Sequence, residues 1–249
     1  MDKIALVTGA TSGFGRAIAK KFSASGYAVI VTGRRSERLE ELKNELTGDV
    51  LTLCFDVRVL KEVENAIASL PEEWKQIDVL VNNAGLAAGL APVHEGSTDD
   101  WEQMIDTNVK GLLYMTRLVA PLMVVRGKGH IINIGSVAGK EVYPNGNVYC
   151  GTKFAVDAIT KGTRIDLVKH GIKVTHIAPG AAETEFSLVR FKWNKEAAGN
   201  VYKGYTPLAA EDVAEVSYYV TTLPAHVNIN DLVIMPTAQA SAVVVHHIP

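Results

Sequence analysis

Seven short apolar runs rich in β-branched residues, 4–8, 28–32, 50–55, 79–81, 130–134, 173–177 and 232–235, recur along this chain. Between them lie stretches with helical periodicity, 15–25, 36–46, 60–70, 99–125, 149–169 and 211–223. The runs are continuously apolar rather than alternating, as strands covered on both faces are, and helical crossovers between such strands favour a parallel sheet with right-handed connections. The expected fold is α/β, a single-domain Rossmann-type doubly wound parallel sheet of about seven strands with helices on both faces. No Pro/Ser-rich linker, low-complexity tract or repeat divides the chain, so one domain spanning 1–249 is expected. The least regular stretch, 183–208, holds Trp193, two glycines and several charges between a strand and a helix. Insertions of this kind serve as substrate lids.

The first strand runs into Thr8-Gly9-Ala10-Thr11-Ser12-Gly13-Phe14-Gly15, after which a helical pattern begins. Glycines permit a tight turn and a close backbone approach, and the start of a helix offers free N–H groups to a pyrophosphate. The G-x-x-x-G-x-G spacing departs from G-x-G-x-x-G, so it is its place after the first strand of an α/β chain that gives it weight. The second strand ends in Gly33-Arg34-Arg35, where NAD-binding folds place a carboxylate on the ribose 2′-hydroxyl. Two guanidiniums there suit a 2′-phosphate, which predicts NADP in preference to NAD.

Tyr149 and Lys153 stand four apart at the start of a helix, on one face. An ammonium near a phenol favours phenolate and would bring Tyr149 within range of proton exchange with a substrate oxygen. Taken alone, such a pair is usually two surface residues. Its company here is Asn82-Asn83-Ala84-Gly85 after the fourth strand, Asn108 in the long helix, Gly135-Ser136 after the fifth strand, and Pro179-Gly180 with Thr184 after the sixth.

In this order, from Thr8 to Thr184, the motifs resemble those of the short-chain dehydrogenase/reductase family. The resemblance implies an NADP-dependent oxidoreductase in which Tyr149 gives or takes the proton and Ser136 hydrogen-bonds the substrate oxygen. Lys153 would lower the Tyr149 pKa and bind the nicotinamide ribose, and Asn108 would hold a water linking Lys153 to solvent. Gly9, Gly13 and Gly15, with Thr11, Ser12 and Phe14 of the same turn, would meet the pyrophosphate. Arg34 and Arg35 would meet the 2′-phosphate, Asp56 and Val57 the adenine, Asn83, Ala84 and Gly85 the adenine ribose side, and Pro179, Gly180 and Thr184 the nicotinamide amide. No metal is implied. Asn82 could be a cofactor contact or a structural hydrogen bonder, and Cys150, with no adjacent base, reads as a packing residue.

Residues 134–136, 143–149, 184–191 and 223–230 further resemble the NADP-dependent 3-hydroxy acid dehydrogenases that oxidise serine, allo-threonine and related β-hydroxy acids such as 3-hydroxypropionate. Such a substrate needs a cation for its carboxylate, and Arg190 is the candidate. A sulfonated aldehyde such as sulfoacetaldehyde would satisfy Arg190 equally well. A 3-oxoacyl or general carbonyl reductase of the same family is the alternative reading. A non-catalytic NADP sensor is a further one, against which the retention of Asn108, Ser136, Tyr149 and Lys153 argues. Lys140, Glu141 and Val142 and the stretch 193–200 fall near the expected pocket rim and depart from any pattern that assigns them a role.

With 25 basic and 27 acidic residues the net charge is -2, so no basic field selects nucleic acid or an anionic membrane as partner. Two cysteines, Cys54 and Cys150, are too few for a disulfide framework and lack metal or redox spacing. The opening apolar run is too short for a leader or a membrane span, which leads to the expectation of a cytoplasmic protein. His246 and His247 read as part of an ordinary tail, since a metal site needs more ligands. The resemblance implies a homotetramer, and the apolar tail 238–245 is compatible with burial in an interface.

Overall fold

The fold was analysed in a computed structural model, in which residues 3–247 are described. Its seven strands are β1 (Ile4–Val7), β2 (Ala28–Gly33), β3 (Val50–Cys54), β4 (Ile77–Asn82), β5 (Gly129–Ile134), β6 (Ile172–Pro179) and β7 (Asp231–Ile234). They form one sheet in the order β3-β2-β1-β4-β5-β6-β7, and every neighbouring pair is parallel.

Each central strand is buried on both sides, and successive residues feed different cores. Leu6, Ile30, Leu80 and Ile131 pack with Val63 and Ile67 of α3 (Leu60–Ala68) and with Met115, Val119 and Met123 of α5 (Leu112–Arg126). Ala5, Val7, Val29, Val31, Val79 and Val81 pack instead with Ile18 and Phe22 of α1 (Gly13–Ala24), Leu39 and Leu42 of α2 (Ser36–Glu45), and Val220 of α9 (Ala210–Thr222). Two layers on one sheet explain why the strands read as continuous apolar runs.

The stretch expected as a single long helix, 99–125, is divided. α4 (Thr98–Ile105) passes into a π-helical turn, Asp106–Gly111, before α5 begins. The wide turn carries Asn108, and π-turns inside helices recur at functional sites. The run Thr98–Arg126 is apolar enough to cross a membrane by composition, but Leu112, Met115, Val119 and Met123 are spent on the sheet core. The stretch 183–208 contains two short helices, α7 (Glu185–Arg190) and α8 (Lys195–Asn200). Its ends are pinned together by a bridge between Ala182 and Leu208. α6 (Asn147–Leu167) packs on β6 and carries the Tyr149–Lys153 pair.

The sheet order reverses between β1 and β4, and the loops at the carboxyl ends of these strands part there. Ligands of open parallel sheets bind in the crevice at such a switch point.

Candidate active site

At that switch point a cavity of about 390 Å³ runs from Arg34 and Arg35 at one end to Tyr149 and Lys153 at the other. Gly9, Thr11, Ser12, Gly13 and Phe14 line it from the first turn, Asp56 and Val57 from the loop after β3, and Asn83, Ala84 and Gly85 from the loop after β4. Thr184, Glu185, Phe186, Val189 and Trp193 close it from the 183–208 insertion.

The glycines of the first turn are there because of close approach. Gly13 (φ 50°) opens α1 in the left-handed region, and Ser12 caps the helix without using its side chain, leaving N–H groups directed outward. A Cβ on Gly9, also left-handed, would lie 2.9 Å from Ala84 Cα. Gly15 does not line the cavity. A Cβ there would lie 2.3 Å from the Gly9 carbonyl and 2.4 Å from Asn83 Nδ2, so Gly15 shapes the turn from behind. Asn83 braces the same turn, donating from Nδ2 to the carbonyls of Thr8 (2.9 Å) and Gly9 (3.3 Å).

Asn82 points the other way, donating to Thr116 Oγ1 (3.0 Å) and Asn133 Oδ1 (2.9 Å) beneath the cavity floor. Of its two readings, the structural one fits.

The arginine end is more populated than the sequence motif suggests. Arg35 donates to Thr11 Oγ1 at 2.9 Å. Arg38, one turn into α2, contacts both oxygens of Glu185 at 2.9 Å. Burial and the neighbouring Arg38 and Arg34 lower the Arg35 pKa against the pull of Glu185, the mark of cations crowded together. Arg34 lies 3.6 Å from Asp56, whose carboxylate is gripped by Arg58. Sequence reasoning missed Arg38, although its position three residues after Arg35, on the same side of a helix start, was the available signal.

At the far end Tyr149 is buried and packs against Phe186 of α7, with ring centroids 5.6 Å apart and the planes tilted by 60°. Lys153 lies 5.9 Å over the Tyr149 ring and donates to the Ile134 carbonyl at 3.0 Å. Burial lowers its ammonium to about 8.

The net direction of the Tyr149 pKa in the protein alone is upward, not downward. Burial pushes the phenol well up, Tyr143 adds to this, and the groups that oppose it are the Ser136 hydroxyl and Arg190. Lys153, beside Tyr149, is itself desolvated and turned toward the Ile134 carbonyl.

The Ser136 hydroxyl accepts from Ala138 N at 3.1 Å and, through its contact with the Tyr149 phenol, belongs to the same constellation. Pro179 and Gly180 stand behind it rather than on the cavity wall, the Pro179 carbonyl 3.5 Å from Ser136 Oγ. The Asn108 side chain is committed to structure, holding both the N–H and the carbonyl of Leu86 at 2.8 Å and donating to Thr152 Oγ1 at 3.0 Å.

Arg190 ends α7 with its guanidinium 5.4 Å over the Tyr149 ring and 5.3 Å over that of Tyr143, whose hydroxyl accepts a hydrogen bond from it. Its Nε is buried with no partner among the described residues. Cys150 is 1% exposed and packs among Leu86, Ala87 and Ala138. His247 is held by the Lys203 carbonyl and the edge of Tyr205.

Residues 3–195 match the short chain dehydrogenase family. An NADP-dependent 3-hydroxy acid dehydrogenase of Salmonella typhi is 55% identical over 240 residues, covering 96% of this chain and 97% of that one. Sulfoacetaldehyde reductase 2 of Chromohalobacter salexigens is 49% identical, covering 96% of each. A closed form of serine dehydrogenase complexed with NADP+ superposes with a TM-score of 0.94 at 52% identity, covering 98% of this chain and 99% of that one. Tyr149, Lys153 and Ser136 meet at the cavity's end on the fold those relatives share, and the chain belongs to the short chain dehydrogenase family.

Proposed function

We propose that this protein is an NADP-dependent dehydrogenase whose substrate is a small β-hydroxy acid, of which L-serine, L-allo-threonine and 3-hydroxypropionate are the type. The observation that carries the substrate class is Arg190, a guanidinium beside the Tyr149 ring whose buried Nε has no partner among the described residues. A buried donor without an acceptor is costly, and a carboxylate is the acceptor that a guanidinium fork fits. The related 3-hydroxy acid dehydrogenase and serine dehydrogenase support the same reading.

The residues fit NADP. Gly9 and Gly13 line the cavity on a turn packed so closely against Ala84 that a Cβ at Gly9 would collide, and Arg34, Arg35 and Arg38 concentrate positive charge at the end where a 2′-phosphate would lie. A bound NADP would supply the hydride acceptor for the carbon that bears the substrate hydroxyl. Tyr149 takes the hydroxyl proton during oxidation and returns it during reduction, and Ser136 orients the same oxygen. Lys153 holds the nicotinamide ribose and shares the proton with Tyr149. Asn108 fixes Leu86 against the cavity, which leaves its backbone rather than its side chain for a relay water. Phe186, Val189 and Trp193 act as a lid that excludes water from the reacting carbon.

The second reading, a sulfoacetaldehyde reductase, is favoured by the relative that is 49% identical. Arg190 would hold its sulfonate as it would a carboxylate.

Nicotinamide absorbance followed with NADP and L-serine, L-allo-threonine, 3-hydroxypropionate or an uncharged secondary alcohol tests the proposal. Sulfoacetaldehyde with NADPH completes the series. Turnover of the acids, abolished in Tyr149→Phe, is expected. Turnover of sulfoacetaldehyde alone moves the assignment to the second reading, and turnover of the uncharged alcohol alone removes Arg190 from its role.

A further inference from the structure

Behind the catalytic turn lies a cluster of charges that the reaction does not touch. Lys140 directly follows the turn Ser136–Gly139, and its ammonium sits between Asp157 Oδ1 (2.8 Å) and Asp231 Oδ2 (2.7 Å). Asp157 extends the stripe Tyr149, Lys153, Asp157 along one face of α6. Asp231 begins β7, and its other oxygen meets His176 Nδ1 of β6 at 2.7 Å. One lysine thus ties the serine-bearing turn to the catalytic helix and to the sheet edge.

The turn is wedged at both ends. A Cβ on Gly135 would fall 1.9 Å from His176 Nε2, and one on Gly139 would fall 2.5 Å from the Lys153 carbonyl. The His176 ring, 1% exposed, therefore bears directly on the residue before Ser136, while the residue before Lys140 bears on Lys153 itself. A shift of the turn in either direction changes the distance between Ser136 and Tyr149.

Asp157, His176 and Asp231 have the ligand types of a metal site, but the Lys140 ammonium already stands between the two carboxylates, where a cation would sit.

We propose that Lys140, Asp157, Asp231 and His176 form a positioning network that sets the Ser136 turn against the Tyr149–Lys153 face of α6. Coupled packed elements hold reacting groups to within fractions of an ångström, and a displacement of about 1 Å costs up to ~100-fold in rate. The charged groups facing His176 are Asp231 from β7, Asp157 from α6 and Lys140 from the turn, with Lys161 bound to the far oxygen of Asp157. Burial and Lys140 keep the imidazole neutral while the two aspartates pull it toward protonation. Removing Lys140 leaves burial alone to oppose that pull.

The inference rests on the dehydrogenase reading only in needing turnover, so it is measured with whichever alcohol or aldehyde the wild-type enzyme converts, alongside NADPH affinity and imidazole NMR, which need no substrate. In Lys140→Met, kcat is expected to fall about tenfold while KM and the NADPH Kd stay within about twofold. The His176 imidazole is expected to titrate at higher pH, and Lys140→Arg to recover most of the rate.

An unchanged kcat in Lys140→Met, a loss as large in Lys140→Arg, or NADPH affinity falling in step with kcat overturns the proposal. Should Lys140→Met not fold, Asp231→Asn, which weakens one side of the network, is read instead. A reduced kcat with NADPH affinity kept supports the network, and wild-type kcat overturns it.

Discussion

Replacing Lys153 by Met should make the enzyme inactive and more stable, and the gain should depend on pH. Burial takes the Lys153 ammonium from 10.5 down to about 8, a difference worth about 3 kcal/mol at ~1.4 kcal/mol for each tenfold in proton affinity. Below pH 8 the folded and unfolded chains both carry the proton, and the folded state bears the full burial cost. Between pH 8 and 10.5 the unfolded chain binds more protons, so the wild-type enzyme gains stability as pH rises, and above 10.5 the cost is gone. Met fills the space without charge but forfeits the hydrogen bond to the Ile134 carbonyl, worth about 1 kcal/mol. The net gain near neutral pH is about 2 kcal/mol, or about 4–8 °C in Tm for a domain of this size. Near pH 10 little of the wild-type cost remains and the Tm difference should nearly vanish. Thermal unfolding of both proteins without cofactor, near pH 7 and near pH 10, reads this directly. A variant no more stable near neutrality, or one whose advantage is equal at both pH values, refutes the claim that Lys153 is held charged against its surroundings.

The same ionisation should appear in catalysis. Burial brings the Lys153 ammonium down to about 8; with that proton relayed to and from Tyr149 as proposed, kcat/KM for alcohol oxidation should rise through that pH and kcat/KM for reduction should fall; a pH-rate profile flat across this range would contradict it. Arg190→Ala should raise KM for a hydroxy acid ~10–100-fold and leave an uncharged alcohol within about twofold, measured by steady-state kinetics on both. Arg38→Ala should weaken NADP binding about tenfold with NAD affinity unchanged, as read by titration calorimetry with each dinucleotide.

The sheet was legible because burial on both faces leaves a plain trace, runs such as 28–31 with no polar residue on either face. The glycine turn and the Tyr149–Lys153 pair were legible because backbone approach and helical spacing are local. What the sequence did not disclose depends on which groups meet across the fold. The π-turn carrying Asn108 keeps a helical pattern of residues, and nothing in its composition distinguishes it from the α-helix on either side. Glu185 is an unremarkable acid until α7 brings it to Arg38, across 147 positions. Lys140 read as an unassigned departure from the family pattern because its partners, Asp157 and Asp231, come from a helix and a strand far along the chain.

The net shift of the Tyr149 phenol was not legible for the same reason. Spacing shows that a lysine is near a tyrosine, whereas the sign of the effect on the phenol depends on how dry the site is and where the ammonium points. Here the dry site raises the phenol and lowers the amine, which brings the two proton affinities apart, not together. On the proposed reading, a bound dinucleotide with an anionic substrate would change that balance, its phosphates meeting Arg34 and Arg35 at one end of the cavity and the acid group meeting Arg190 over the Tyr149 ring, in the pocket that adjoins the other end. The net charge of -2 conceals this arrangement: the chain as a whole is nearly neutral, but Arg34 and Arg35 line one end of the cavity and Arg190 stands over the Tyr149 ring beside the other. On the proposed reading an uncharged alcohol would leave the Arg190 guanidinium without an anionic partner, so the substrate's charge, more than its chain length, is what this site is expected to select.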